Sequence, residues 1–448
     1  MKTASKKVIN GWAMYDWANS AYNLVITSTI FPAYYDAITS TKDATGNVIS
    51  HKVMFLGKEF ESASLYNYAI AFAYLLIAIL SPILSSIADY RGNKKSFMQF
   101  FCYLGSLACC ALYWFKSDTL TLGIACAIIA AVGYCGSLVF YNAYLPEIAA
   151  DEDQDNVSAK GFAYGYIGSV LLQIICFVFV LKPELFGIVD GSFAPRLSFL
   201  LVGLWWMGFA QITFATLPKP LAQQPLTPPP SPEGRQGETR GLWAGFVELK
   251  KVWRQAGHLP TLKKYLVAFF CYSMGVQTVM LAATLFGSQV LQMKTDALII
   301  CILIIQIVAI GGAYLMAKLS DIFGNFKVLA FVVMIWVGIC IAAYFVTTST
   351  QFYVIAGIVG LVMGGIQSLS RSTYAKIMPT DTPDTASFFS FYDVTEKVAI
   401  VIGMFSFGLV QQLTGSMRNS ILVLIVFFMA GVVMLLLILK QQRAVSKA

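Results

Sequence analysis

Charge is scarce in this chain. Only 12% of its 448 residues are Asp, Glu, Lys or Arg, whereas 58% are hydrophobic. A soluble domain carries about 25% charged residues. The composition therefore excludes an ordinary water-soluble fold, because so much apolar surface has to meet lipid. Histidine is scarcer still. His51 and His258 both fall between apolar runs, which excludes an intramembrane histidine proton relay. Metal-ligand spacings are missing too. The nine cysteines lie inside apolar runs with no C-x-x-C pair, and they read as small buried hydrophobes. No nucleophile–base pair or phosphate-binding loop is present, so neither an enzyme nor a cofactor nor a metal is expected. The net charge of +8 sits in the loops. It reports orientation in a bilayer rather than binding to nucleic acid.

What the chain does have is a phrase that occurs twice. Asp89-Tyr-Arg91-Gly92-Asn93-Lys-Lys95 returns as Asp321-Ile-Phe-Gly324-Asn325-Phe-Lys327, each copy between two long apolar runs. The shared spacing D-x-x-G-N-x-K, about half a chain apart, points to an internally duplicated membrane protein.

A helical span takes about 20 apolar residues. Twelve are expected, at 11–35, 65–87, 96–115, 119–144, 159–181, 197–217, 261–287, 297–317, 327–347, 350–376, 387–411 and 419–440. The first is expected to be a retained helix rather than a cleaved signal, since it lacks a small-residue cleavage site. An even number puts both ends on one side. The excess of Lys and Arg in the loops of that side makes it the cytoplasm. Residues 217–241 hold seven prolines and read as an extended or disordered joint. After it, Trp243, Phe246, Leu249 and Trp253 alternate with Lys250, Lys251 and Arg254, as in a basic amphipathic helix lying on the inner surface. The expected organisation is an all-α membrane protein of two pseudo-symmetric six-helix bundles, 1–217 and 261–448, joined by a cytoplasmic linker at 218–260.

Polar groups inside a span are costly and tend to face a cavity. On the first span, Asp16, Asn19, Ser20, Asn23 and Thr27 fall on one stripe at 100° per residue. On the seventh, Ser273, Gln277, Thr284 and Ser288 share a weaker face, open to either packing or a cavity. The eleventh carries Asp393, Glu396 and Lys397 on one face, with acid four residues before base. Lys397 is suited to gripping a substrate carboxylate, and Asp393, Glu396 or Asp16 to carrying a coupling proton. Tyr141 and Asn142 end the fourth span, and Gln367 and Arg371 end the tenth; all four are cavity or gate candidates. Arg371 is equally well read as an anchor at the inner surface. The lone amides Gln173 and Gln306 read as packing glue. The acidic run Glu147, Asp151, Glu152, Asp153, Asp155 reads as a solvated loop.

The repeated loop resembles the signature of the major facilitator superfamily, G-x-x-x-D-R-x-G-R-R, with Ser85 in place of its first glycine and Tyr90 in place of its first arginine. That resemblance implies an inner gate at Asp89, Arg91 and Gly92 and at Asp321 and Gly324, with the acid meeting the start of the eleventh helix. The opening Gly11-Trp-Ala-x-Tyr-Asp16-Trp-Ala-Asn19-Ser-Ala21 is similar to the vacuole-effluxer-like branch of that superfamily, as are Ser-Leu-Ser-Arg-Ser at 368–372 and Phe-Tyr-Asp-Val-Thr-Glu-Lys at 391–397. The resemblance implies a multi-pass secondary transporter for efflux or exchange of small amphiphilic solutes, amino acids among them, and the carboxylates within the spans add the expectation of proton coupling. The expected partners are the lipid bilayer, a small-molecule substrate and protons. Nucleic acid is not expected, and the expected setting is a monomer in a bacterial inner membrane. Export of drugs, peptides or lipids by the same fold and a non-transporting membrane sensor are the alternative expectations.

Overall fold

The computed structural model describes residues 2–42, 48–50, 52–188, 190–218, 242–379 and 382–445. The proline-rich joint, at 219–241, and residues 43–47 and 51 of the loop after the first span lie outside them. The helices are α1 (Lys6–Ala21), α2 (Ile30–Thr39), α3 (Ser62–Arg91), α4 (Lys94–Ala111), α5 (Leu120–Ala143), the short α6 (Leu145–Ile148), α7 (Gln154–Leu181), α8 (Phe193–Thr216), α9 (Leu242–Gly257), α10 (Pro260–Gln289), α11 (Thr295–Phe323), α12 (Asn325–Phe345), α13 (Ser349–Ile377), α14 (Thr385–Thr414) and α15 (Met417–Val445). Two small antiparallel hairpins, β1 (Thr41–Lys42) with β2 (Val48–Ser50) and β3 (Lys52–Phe55) with β4 (Lys58–Glu61), join α2 to α3.

Ten of these helices are long and apolar enough to cross a membrane. The two expected spans not among the ten are the first and the eleventh, which carry the intramembrane charges Asp16 and Asp393, Glu396 and Lys397. The first departs from a plain helix. Between α1 and α2 the chain winds as a π-helix over Tyr22–Thr29. Pro32 has no N–H to return to the preceding turn, and the hydroxyl of Thr29 lies within hydrogen-bond reach of the Leu24 carbonyl, at 2.8 Å, and of Gln173. Such π segments often mark functional sites.

The twice-used glycine has a backbone reason. Gly92 ends α3 at φ +63° and returns its N–H to the last turn; Gly324 ends α11 at φ +86°. Side chains rarely adopt either conformation. Gly92→Ala is expected to cost about 1–2 kcal/mol, read as a lower unfolding temperature of the purified protein.

Among the described residues, α1, α4, α5, α7 and α8 pack on one another, and α10 packs with α13, α14 and α15. The two bundles meet along α7 with α11 and α13, and along α3 with α14. Small residues allow the closest approaches: a methyl on Gly364 of α13 would lie 2.2 Å from the Ala309 carbonyl oxygen of α11. The outer faces stay greasy. Leu75, Phe100, Phe405 and Val426 are all more than half exposed, a surface that only a lipid environment tolerates at this scale.

One face of the molecule carries both chain ends. There Ala4 donates its N–H to the Ile148 carbonyl at 2.8 Å, and Lys264 at the start of α10 reaches Gln441 near the end of α15 at 2.6 Å. The amphipathic stretch is helical, as α9, but it does not lie apart. It packs against α3 and α14: Val252 is fully buried, Lys251 pairs with Asp384 at 3.2 Å, and Trp253 lies 5.4 Å from Phe391.

Candidate functional site

Between the bundles lies a cavity of about 990 Å³. Its wall runs from Arg371, near the face with the chain ends, to Tyr66, Leu298 and Leu424, each near the opposite end of its helix. The π-helical turn and α1 contribute Asp16, Ser20, Asn23 and Thr27. Asn19, expected with them, is buried outside the wall. It sits at the edge of the stripe, about 60° from Asp16 around the helix. Ser273, Gln277 and Thr284 of α10 line the cavity, as do Asn142, Gln367 and Gln306; Gln306 is therefore a wall residue rather than packing glue. Gln173 instead takes the hydroxyl of Thr29 at 2.9 Å.

Among the described residues, the charged ones in the wall are Asp16, Arg371, Glu396 and Lys397. Lys397 bridges two carboxylates, Asp393 at 3.2 Å one turn earlier and Glu396 at 3.1 Å. Asp393 lies behind the wall, and its second oxygen is buried without a partner. Glu396 is the more open of the two and accepts from Gln277 at 2.9 Å. That bond crosses from α14 to α10.

Arg371 is the knot between the halves. Extending from α13, its Nη1 pairs with Asp16 Oδ2 at 3.2 Å and donates to Asn142 Oδ1 at 3.2 Å. Its Nε and Nη2 donate to the Ser158 hydroxyl at 3.0 Å and carbonyl at 2.8 Å. Phe162 and Trp12 present their rings to the guanidinium at 4.2 and 4.8 Å. Both partners are buried, so Arg371 is not a surface anchor. Tyr141 is fully buried and outside the cavity wall, where its hydroxyl donates to Asp16 at 2.8 Å. It holds the carboxylate from behind the wall. Gly161 makes the approach possible, because a methyl there would lie 2.6 Å from Asp16 Oδ2 and 2.9 Å from Arg371 Nη2.

The chain matches the model of the family described as vacuole effluxer Atg22 like over residues 4–448. The chain belongs to this family. It is 32% identical to an uncharacterized MFS-type transporter, YxiO, of Bacillus subtilis, over 93% of this chain and 91% of that one. It is 24% identical to autophagy-related protein 22 of Coccidioides immitis, over 93% and 84% of the two chains. The proton:xylose symporter XylE, an MFS protein, superposes with a TM-score of 0.70 at 12% identity, covering 97% and 95%.

In this Atg22-like chain the repeated loops lie on the face with the chain ends. Asp89 receives the N–H groups of Ala386 and Ser387, at 3.2 and 2.7 Å, where α14 begins. A carboxylate is favoured at a helix N-terminus. Asp321 is exposed and takes one hydrogen bond, from Asn156 at the start of α7, at 3.2 Å. Arg91 is exposed. The acidic run is solvated only in part: Asp151 and Glu152 are exposed, but its other acids have partners. Asp155 is fully buried and gathers Lys376 at 2.6 Å, Asn325 at 2.7 Å and Ser320 at 2.8 Å, all from the other bundle. Glu147 pairs with Lys94, and Asp153 accepts from Thr3. The repeat's own asparagine and the α13 lysine thus bind an acid that the sequence left in solvent. Nothing in the spacing of Ser158, Gly161 or Phe162 marks them as partners of Arg371, since α7 reads locally as an apolar run.

Proposed function

We propose that this chain is a secondary transporter that moves a small solute across a membrane by alternating access, in the class of amino-acid efflux or exchange. The observation that carries the reading is the Asp16–Arg371 pair, which ties α1 to α13 at the floor of the cavity between the two bundles. A tie of this kind closes one face and can be exchanged for a closure at the other when the bundles rock. The family match and the transporter named among its relatives support the same class.

In this reading the bundles are 1–217 and 261–448, the termini are cytoplasmic in a bacterial inner membrane, and one chain is the working unit. Asp89 with α14 and Asp321 with α7 close the inner face, and Gly92 and Gly324 shape the turns that bring them there. Asn23, Gln277, Gln367 and Lys397 contact the solute, and Asp393, Glu396 and Asp16 are the proton carriers.

Lys397→Gln tests the site. It leaves two carboxylates together without their cation, and removal of one partner from a buried pair is severe. Exchange is expected to fall at least about tenfold, with partial recovery in Lys397→Arg, read by uptake into liposomes. Wild-type rates in both Lys397→Gln and Asp393→Asn would remove this assignment. The test of the function itself is counterflow. Liposomes holding the purified protein are loaded with mixed amino acids, and exchange with labelled external solutes is compared with that of empty liposomes. Selective exchange supports the reading. An absence of exchange with every amino acid contradicts it and shifts the search to peptides, drugs and lipids.

A further inference from the structure

The charges of the cavity do not balance. Asp16 is matched by Arg371, but Lys397 faces both Asp393 and Glu396. With each group in its ordinary ionised form, three carboxylates meet two cations. The cations are also largely spent. Four donor contacts of Arg371 go to Asp16, Asn142 and Ser158. Two of the three ammonium hydrogens of Lys397 are taken by its neighbouring acids. Glu396 is different: its side chain is 25% exposed, against 8% for Asp393 and 7% for Asp16, and it opens into the cavity.

The wall around this surplus suits a cation. Tyr66, Tyr74, Tyr134, Tyr272 and Tyr392 all line the cavity. Lys397 already sits 5.8 Å from the Tyr74 ring. Aromatic faces attract ammonium and guanidinium groups, more strongly where water is excluded. An uncompensated carboxylate away from bulk water is costly. A zwitterion leaves that imbalance unchanged, because it brings as much negative charge as positive. A solute with one net positive charge removes it.

We propose that the cavity selects solutes carrying one net positive charge, an amino-acid head with a second amine or guanidinium, and that Glu396 is the ion-pair partner of that second cation. The inference rests on the transport reading above and names its substrate class. Glu396 carries a proton when no solute cation is bound, and Gln277, bonded to it, positions the carboxylate.

The test is competition in counterflow. Liposomes containing the full chain are preloaded with lysine and challenged with labelled lysine at constant pH. Unlabelled arginine, leucine, glutamate or norleucine is then added. Norleucine is the decisive probe, because it keeps the chain length of lysine and lacks the second amine. Arginine is expected to compete as well as lysine, and norleucine and leucine at least tenfold less well. Glu396→Gln is expected to erase that preference, with Glu396→Asp retaining part of it. Wild-type protein that takes leucine or norleucine as readily as lysine would overturn the proposal and leave the transport reading standing. This ranking needs no variant to fold. Exchange with none of the probes would overturn both. A Glu396→Gln protein that keeps the full lysine preference would remove Glu396 from the role.

Discussion

Arg371→Ala is expected to abolish exchange. The substitution removes four donor contacts, the ion pair with Asp16 among them, and three aromatic partners at once. Among the described residues, it leaves buried Asp16 with the hydroxyl of Tyr141 alone to hold its charge. Breaking a buried pair by removing one partner costs about 3–5 kcal/mol. Two consequences follow. The closed state loses most of the tie between α1, α7 and α13, and the conformational cycle loses its balance. Counterflow should fall on the order of 100-fold or more, since each 1.4 kcal/mol is about tenfold. Asp16→Asn should be milder, because it keeps an acceptor for the guanidinium. The double exchange Asp16→Arg with Arg371→Asp should not rescue, because Ser158, Phe162 and Trp12 are placed for a guanidinium arriving from α13. Rates in Arg371→Ala within a few-fold of wild type would show that the pair is only structural.

The second large effect is expected at Asp155, a residue that takes no part in the cavity. It is fully buried and collects Lys376, Asn325 and Ser320 across the interface. Asp155→Ala leaves three donors facing an apolar methyl. Lys376 is partly exposed and recovers some hydration, so the cost is placed at about 2–3 kcal/mol rather than the full value for a buried pair. That cost falls on the state closed at the face with the chain ends. The population therefore shifts toward the opposite state by roughly 30- to 150-fold. The readout is the labelling rate of a Ser368→Cys probe, at a fully buried position of the same interface, by a membrane-impermeant maleimide. Labelling in the Asp155→Ala background should be faster by at least about tenfold. An unchanged rate would mean that the cluster merely packs α7 and carries no share of the closure.

The sequence was most readable where the physics was local. Long apolar runs located the helices, since backbone groups in lipid leave few alternatives. The doubled D-x-x-G-N-x-K phrase located two tight turns, and both glycines have positive φ. The polar stripe on α1 was legible from helical spacing, although the π-helical turn lay beyond a uniform 100° per residue. The amphipathic pattern of α9 gave a helix but not its docking on α3 and α14, because sequence periodicity shows an apolar face without saying what covers it. What could not be read was non-local. Asp155 sits among exposed acids and looks like one of them until α11, α12 and α13 bring it three partners. Tyr141 looks like a wall residue because it neighbours Asn142, yet its ring turns away and its hydroxyl serves Asp16. Arg371 was balanced between anchor and gate, because its depth depends on α1 and α7, which lie about 200 to 350 residues away in the chain.

The account rests on closure of one face by contact between the bundles and on release of that contact in each cycle. Ser86 of α3 and Ser387 of α14 allow a direct test. Both are fully buried, and their hydroxyl oxygens lie 3.2 Å apart across the interface. Cysteines at both positions can be joined by oxidation, with the bond verified by mass spectrometry and each single variant as the control. Counterflow is then measured in the same preparation before and after reduction. The account predicts that oxidised protein does not exchange solute and that reduction restores the rate. Exchange by the oxidised protein at the reduced rate would contradict it, because solute would then be crossing without separation of α3 from α14.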